Sequence, residues 1–258
     1  MELAVHDYGG DGPDLLLLHG GADNIETWRD LVPRLQPRFR VAAYDARGHG
    51  RSPTPEEASV AQLVGDVFAV ADHLVLDRPL LAGHSMGGIN ALLAAAEQDR
   101  FAGVVALDAV PRWWSRPNVS DTEFEEIGRS RGVGWAGSAE ELERELARLG
   151  EGRQHADLIA AVFRRNHVLD SDGLLRRKPL AHYALQLAQI YQGPESGLTA
   201  KRIESIRAPV VLLCSETWVS PEAVRHLAPT IRVEWLGTRH HIHWDHPDEV
   251  AARIMELA

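Results

Sequence analysis

A serine flanked by glycines is the residue best placed to do chemistry in this chain of 258 residues. Ser85 lies in the segment Gly83-His84-Ser85-Met86-Gly87-Gly88, which follows an apolar run and precedes an alanine-rich segment. This order predicts a strand, a tight turn and a helix, with the serine at a strained apex and glycines where neighbouring backbone must pass closely. Because a serine hydroxyl is almost un-ionised at neutral pH, a nucleophilic Ser85 requires an adjacent base.

Four histidines near the C-terminus offer that base: His240, His241, His243 and His246. The competing interpretation of this group is a metal site, because imidazole is a common ligand. No cysteine and no pair of carboxylates converges on these histidines in the sequence. The sequence therefore predicts that the chemistry uses neither a metal nor an organic cofactor.

Strands and helices alternate along the two ends of the chain. Strands are expected over residues 2–8, 15–18, 40–44, 80–83, 103–108, 209–213 and 232–236. Helices are expected over about 24–35, 60–76, 89–96 and 247–257. Such alternation is typical of a parallel sheet covered by helices on both faces. The predicted fold class is α/β, with a mostly parallel, doubly wound sheet of about seven strands.

The alternation stops between Pro111 and about Arg202, where helical patterns continue without a convincing buried strand. We interpret this stretch as a helical cap inserted into the α/β core. The predicted boundaries are 1–110 and 203–258 for the core and 111–202 for the cap.

The composition limits the partners and the compartment. A net charge of −10 argues against nucleic acid and against an anionic membrane surface. The single cysteine, Cys214, excludes an internal disulfide and suits a reducing cytosol. No signal peptide is recognisable at the N-terminus, and the longest leucine run, Leu15 to Leu18, is too short to span a bilayer. We expect a cytoplasmic protein that acts on a small molecule, as a monomer or homodimer.

Four motifs in this order resemble the α/β-hydrolase fold family. They are His19-Gly20-Gly21, the segment from Asp45 to Ser52, the serine segment described above, and the final His240…Asp245-His246-Pro247. The resemblance implies that Ser85 is the nucleophile. It also implies that His240, seven residues before Pro247, is the base. His241 stays an alternative, since Arg239 stands where the family usually has glycine.

The resemblance also implies an oxyanion hole and an acid. The backbone N–H groups of Met86 and Gly21 would form the oxyanion hole. The family most often places an aspartate after the strand 209–213, but Glu216 is the carboxylate that this chain has there. Some members carry the acid after the preceding strand instead, where this chain has Asp108. We favour Glu216 as the acid and keep Asp108 as the alternative.

The inserted segment resembles the lid of this family, which lies over the serine. Its rings available to line a substrate pocket are Trp113, Trp114, Phe163, His167 and Tyr183. A group of basic residues in the same segment is interpreted as a solvated helix face: Arg164, Arg165, Arg176, Arg177 and Lys178. We expect the loop from Asp45 to Ser52 to be structural.

The function expected on these grounds is a serine hydrolase that cleaves a small ester, thioester or lactone through an acyl-enzyme. One alternative is a carbon–carbon bond hydrolase or lyase-type member that uses the same triad. Another is a non-catalytic ligand-binding protein of the same fold, which the missing aspartate after residues 209–213 keeps open.

Overall fold

The computed structural model describes residues 2–110, 134–179, 181–192, 196–216, 219–224, 227, 231–237 and 239–258. The strands are β1 (Val5–Gly9), β2 (Asp14–Leu18), β3 (Arg40–Tyr44), β4 (Leu80–His84), β5 (Gly103–Leu107), β6 (Ala136–Gly137), β7 (His167–Leu169), β8 (Leu175–Arg177), β9 (Val210–Cys214) and β10 (Arg232–Trp235). Seven of them form one sheet in the order β1-β3-β2-β4-β5-β9-β10. The edge strand β1 is antiparallel to β3, and the other pairs are parallel. This confirms the predicted mostly parallel sheet of seven strands.

The helices are α1 (Val32–Leu35), α2 (Val60–His73), α3 (Met86–Glu97), α4 (Ala139–Gly150), α5 (Ala156–Asn166), α6 (Ala181–Gln192), α7 (Ala200–Glu204), α8 (Pro221–Val224), α9 (Ile242–Asp245) and α10 (Pro247–Met255). The helix expected over 24–35 is a 3₁₀ turn at Ile25–Trp28 followed by the short α1, which has Pro33 in its first turn. None of the helices in the described ranges is both long and apolar enough to cross a membrane.

Apolar residues on both faces of the central strands explain why helices cover the sheet on both sides. Leu16 and Leu18 belong to one buried cluster, whereas Leu15 and Leu17 belong to the other. This alternation follows from the two-residue period of a strand. Uniformly apolar strands of this kind are typical of parallel sheets buried on both faces.

The strand register brings three loops together at the carboxyl end of the sheet. β4 lies between β2 and β5, with Leu18 paired to Gly83 and His84 paired to Leu107. The residues that follow these strands therefore meet at one edge, which is where open α/β sheets bind ligands.

The segment between β5 and β9 contains α4, α5 and α6, and also a small antiparallel sheet in the order β6-β8-β7. Helices are expected here from the sequence, and this small sheet is not. Its strands have two or three residues and are mostly half-buried or exposed, so they lack the apolar run that marks a buried strand. The cap boundaries remain predictions: residues 111–133 lie outside the described ranges, and the second boundary falls within α7.

Candidate active site

Ser85 occupies a sharp turn between β4 and α3. Its backbone has φ 50° and ψ −117°, a conformation that non-glycine residues rarely adopt. The Ser85 N–H donates a hydrogen bond of 2.8 Å to the Leu107 carbonyl on the neighbouring strand. Strain of this kind persists where the surroundings fix it and is concentrated at functional sites.

A glycine two residues after Ser85 makes this turn possible. A Cβ atom on Gly87 would lie 2.2 Å from the Leu18 carbonyl oxygen, a distance that backbone atoms cannot accommodate. α3 therefore approaches the end of β2 more closely than any side chain at this position would permit. The packing keeps the beginning of α3 directly beside the loop that follows β2.

His240 lies against Asp108, a buried aspartate that directly follows β5, the neighbour of β4 in the sheet. Its Nδ1 is 2.6 Å from Oδ2 of Asp108, and the Asp108 side chain is fully buried. A carboxylate only accepts hydrogen bonds, so Nδ1 carries the proton and donates it. This arrangement fixes the imidazole tautomer in which Nε2 can accept a proton, as in the histidine and aspartate of serine proteases.

Asp108 is held by the loop that follows β9. Its Oδ1 accepts a 2.8 Å hydrogen bond from the Ser215 N–H, and its Oδ2 accepts one of 2.8 Å from the Ser215 hydroxyl. Burial raises the pKa of Asp108 to about 6, although the two bonds from Ser215 act in the opposite direction. The carboxylate is therefore oriented by three donors and carries a charge that is costly to bury.

Glu216, the acid that we favoured from sequence, lies elsewhere in that loop. Its side chain is exposed, and its backbone N–H donates a 3.1 Å hydrogen bond to the Gly237 carbonyl. The structure thus brings His240 together with the alternative acid, Asp108. The physical reason is the neighbouring position of β4 and β5 in the sheet, which places Asp108 beside the serine turn.

The loop after β2 approaches the beginning of α3. A Cβ atom on Gly21 would lie 3.8 Å from Sδ and 3.9 Å from Cβ of Met86, so the two residues are neighbours. His49 lies against the Gly21 peptide, with Nε2 2.9 Å from the Gly21 carbonyl oxygen and Nδ1 3.0 Å from the Arg47 carbonyl oxygen. Burial lowers the pKa of His49 to about 4, which keeps this ring neutral. The sequence analysis did not assign His49 this supporting role.

His19 anchors the same loop. Its Nε2 accepts a 2.8 Å hydrogen bond from the Ala46 N–H, and its Nδ1 donates one of 2.8 Å to the Gly20 carbonyl. Burial lowers the pKa of His19, which agrees with this neutral tautomer. The loop that would supply the second oxyanion donor is therefore fixed by two neutral imidazoles.

A second group of polar side chains lies beside His240. Asp23 is buried, with Oδ2 3.3 Å from Nδ1 of His84 and 3.3 Å from Nε2 of His241. The ring of His243 packs against that of His84 with a centroid distance of 4.7 Å. Burial alone would raise the pKa of Asp23, but His241 and His84 hold it well below its usual range.

The rings predicted to line a substrate pocket have different surroundings. Trp113 and Trp114 lie outside the described residues. Tyr183 is fully buried and packs so closely on Gly48 that a Cβ there would lie 2.3 Å from its ring. Phe163 is covered by the guanidinium of Arg177 at 4.0 Å, and its carbonyl accepts a 2.6 Å hydrogen bond from His167.

The cap is tied to the core through the loop from Asp45 to Ser52. Arg165 bonds to the buried carboxylate of Asp45 at 2.9 Å, and Lys178 donates to the Ser52 carbonyl at 2.6 Å. The Asn166 side chain accepts a 2.9 Å hydrogen bond from the Gly50 N–H. Part of the basic group that we expected to be solvated thus anchors the cap.

A cleft of about 530 Å³ opens beside the second group of polar side chains. Its lining combines residues before and within α5 with residues of the C-terminal loop: Gly152, Arg153, Gln154, His155, Ile159, Arg239, His241, Trp244 and Asp245. His241 therefore connects this cleft with the buried Asp23.

Comparisons with known proteins agree with the fold and the order of these motifs. A family model described as the alpha/beta hydrolase family matches residues 15–253. A 2-(acetamidomethylene)succinate hydrolase of Mesorhizobium japonicum is 38% identical over 104 residues, which cover 40% of this chain and 37% of that protein. A pimeloyl-[acyl-carrier protein] methyl ester esterase of Photorhabdus laumondii is 27% identical, with 95% of this chain and 92% of that protein covered.

The structural similarity extends over the whole chain. The crystal structure of an E-2-(acetamidomethylene)succinate hydrolase matches with a TM-score of 0.79 and 23% identity, covering 99% of this chain and 94% of the other. At this identity, the match supports the fold alone. The aligned region with the Mesorhizobium relative spans well under half of that protein, whereas the Photorhabdus relative aligns along nearly its full length.

Proposed function

The chain belongs to the alpha/beta hydrolase family, and we propose that it is a serine hydrolase that cleaves a small ester, thioester or lactone. The observation that carries the proposal is the 2.6 Å contact between Nδ1 of His240 and the buried Asp108, beside a serine in a strained turn. It supports a triad of Ser85, His240 and Asp108. The contact also speaks against a non-catalytic binding protein, because that alternative rested on a missing acid.

The reaction begins when Nε2 of His240 accepts the proton of the Ser85 hydroxyl while the serine oxygen attacks the substrate carbonyl. Asp108 keeps the proton of His240 on Nδ1 and stabilises the imidazolium that forms. The backbone N–H groups of Met86 and Gly21 donate to the oxygen that becomes negative. Met86 is the first residue of α3, so the positive end of that helix adds to this stabilisation.

The tetrahedral intermediate then collapses and breaks the bond to the leaving group. His240 returns its proton to the leaving alcohol, thiol or ring oxygen, which leaves an acyl ester on Ser85. A water molecule next loses a proton to His240 and attacks the acyl carbonyl, and the serine leaves with that proton. The products are a carboxylic acid and the alcohol or thiol, or a hydroxy acid from a lactone.

The test is hydrolysis of a panel containing a nitrophenyl ester, an aliphatic thioester, a γ-lactone and a vinylogous diketone. We expect turnover of at least one of the first three and a loss of at least about 1,000-fold in Ser85→Ala. Ser59→Ala is the matched control, because the Ser59 hydroxyl makes no capping hydrogen bond at the start of α2.

Mass spectrometry after exposure to a fluorophosphonate should place a covalent adduct on Ser85. Hydrolysis that is unaffected by Ser85→Ala would refute the proposal. Turnover of the diketone with no cleavage of the other three substrates would instead identify a carbon–carbon bond hydrolase.

A further inference from the structure

Asp23, His84 and His241 come from three separate segments and converge on one point beside the proposed triad. One nitrogen or oxygen of each lies within 4.8 Å of the corresponding atoms of the other two. Asp23 and His84 are buried, and the His241 side chain is 31% exposed. Two imidazoles and one carboxylate are a ligand set that divalent transition metals accept.

Nδ1 of His84 is a buried polar atom that faces a carboxylate. Nε2 of the same ring lies 3.0 Å from the His240 carbonyl oxygen, which only accepts, so Nε2 carries the proton. The other ring nitrogen of His84, Nδ1, faces the Asp23 carboxylate. That Nδ1 lies 3.3 Å from Oδ2 of Asp23 but forms no hydrogen bond with the described residues. A cation between the two atoms would give Nδ1 of His84 a partner.

The distances match those around a tetrahedral metal ion. Zinc–nitrogen and zinc–oxygen bonds of about 2.0–2.1 Å at tetrahedral angles place two ligand atoms about 3.3 Å apart. The distances from Oδ2 of Asp23 to Nδ1 of His84 and to Nε2 of His241 are both 3.3 Å. Two of the three distances between ligand atoms thus match a tetrahedral site. Nε2 of His241, which lies within hydrogen-bonding distance of Asp23, must lose its proton and move closer to His84 to bind the ion.

The surroundings have the features of a metal site. The second ring nitrogen of His84 donates to a backbone carbonyl, the usual outer partner of a metal-bound histidine. A Cβ atom on Gly20 would lie 2.7 Å from Nδ1 of His84 and 3.0 Å from Oδ2 of Asp23, so a side chain at position 20 would displace these two atoms. The cleft that His241 lines provides a path from solvent.

We infer that Asp23, His84 and His241 bind a divalent transition-metal ion such as zinc, with a water molecule as the fourth ligand. The ion would tie the loop after β2 and the end of β4 to the C-terminal loop that carries His240. Its role is to stabilise this arrangement, and the hydrolysis itself proceeds without it. No metal is expected from the sequence, because Asp23 and His84 are distant in the chain from the C-terminal histidines.

The test uses the full chain without a histidine tag, stripped with a chelator and then titrated with zinc chloride. We expect one zinc ion per chain by calorimetry and a rise in Tm of about 5–10 °C at a zinc concentration of 100 times Kd. Cobalt(II) should give the intense visible absorption of a tetrahedral complex.

His241→Gln is the main variant, because His241 is partly exposed and its replacement leaves the core intact. We expect its zinc affinity to fall by more than about 10-fold, because the loss of a residue that only hydrogen-bonds to a metal ligand already lowers metal affinity by about that factor. His246→Gln is the matched control, with a side chain 33% exposed in the same loop, and should bind zinc like the wild type. Gly20→Ala keeps all three ligands but displaces His84 and Asp23, so it should also weaken binding.

Three results would overturn the inference. The first is the absence of saturable zinc binding. The second is equal zinc affinity in His241→Gln and the wild type. The third is equal loss in His241→Gln and His246→Gln, which would indicate a surface histidine group.

Discussion

Replacing Asp108 by asparagine tests the assignment of the acid with little change in shape. The backbone at Asp108 has φ 50°, a conformation that asparagine tolerates better than most residues. The amide oxygen can still accept from the Ser215 N–H. The amide NH₂ must then take the position of Oδ2, which in the wild type accepts from both the Ser215 hydroxyl and Nδ1 of His240.

The expected loss of activity follows from a change in the tautomer of His240. An NH₂ group facing His240 donates to Nδ1, so the imidazole proton moves to Nε2, where the proton of Ser85 should be received. The equivalent exchange in serine proteases lowers kcat by about 10⁴-fold. We expect a loss of about 10³–10⁴-fold here, which corresponds to about 4–5 kcal/mol in the activation free energy.

The expected effect on stability is much smaller. The carboxyl of Asp108 ionises at a pKa of about 6 in the folded chain, against an ordinary value of 3.8. The unfolded chain therefore releases this proton first, and the free energy of unfolding falls as the pH rises from 3.8 to 6. Above pH 6 the buried charge costs about 3 kcal/mol. Asparagine removes that cost and loses hydrogen bonds worth about 1–3 kcal/mol, so the two effects nearly cancel.

The assay combines steady-state kinetics at pH 8 with thermal unfolding of the same preparations. Asp108→Asn should lose activity while its Tm stays within about 5 °C of that of the wild type. Glu216→Gln should keep a kcat within about threefold of the wild-type value. A nearly active Asp108→Asn enzyme would refute the assignment. A large loss in Glu216→Gln with normal stability would return the role to Glu216.

Three further predictions follow from the same geometry. The kcat/KM of the wild type should rise with pH as the Asp108 carboxyl, whose pKa burial raises to about 6, becomes ionised, and a flat profile between pH 5 and 8 would contradict this. Gly87→Ala should prevent folding, because its Cβ meets the backbone of β2. Gly65→Ala in α2, where nothing lies within 4 Å, should raise the free energy of unfolding by about 0.5–1 kcal/mol in urea. Arg165→Met should lower that free energy by about 3 kcal/mol by leaving Asp45 without its cation, whereas Arg164→Met, which breaks an exposed pair with Glu143, should leave it nearly unchanged.

The main sheet was predictable because the sequence pattern of each strand lies within a few consecutive residues. Each central strand is an uninterrupted apolar run, and the glycines around Ser85 mark a turn that no other residues could form. The small sheet of the cap gives no such signal, because its strands are too short to show a period. The sequence therefore predicts the core well and the cap only as a helical segment.

The acid was harder to predict because its identity depends on strand neighbours. Glu216 and Asp108 both follow a strand, and both precede His240 in the chain. The choice depends on which carboxylate lies beside the serine turn, and this follows from the pairing of β4 with β5. Sequence spacing contains no information about that pairing.

The polar group of Asp23, His84 and His241 was missed for a related reason. Its members are separated by 61 and 157 positions in the chain, and the strand order brings them together. No motif of the sequence joins an aspartate of the first loop to a histidine of the last.

The hydrogen bonds between Asp108 and Ser215 connect the ends of β5 and β9, so the two strand ends together form one binding site for a carboxylate. Either strand end could supply the negative charge, while the other supplies a hydroxyl that orients it. In such a site, two substitutions during evolution can move the acid from one strand end to its neighbour. One replaces aspartate by serine at the end of β5, and the other replaces serine by aspartate after β9. The histidine would need no new position, so the order of serine, acid and histidine along the chain survives the move.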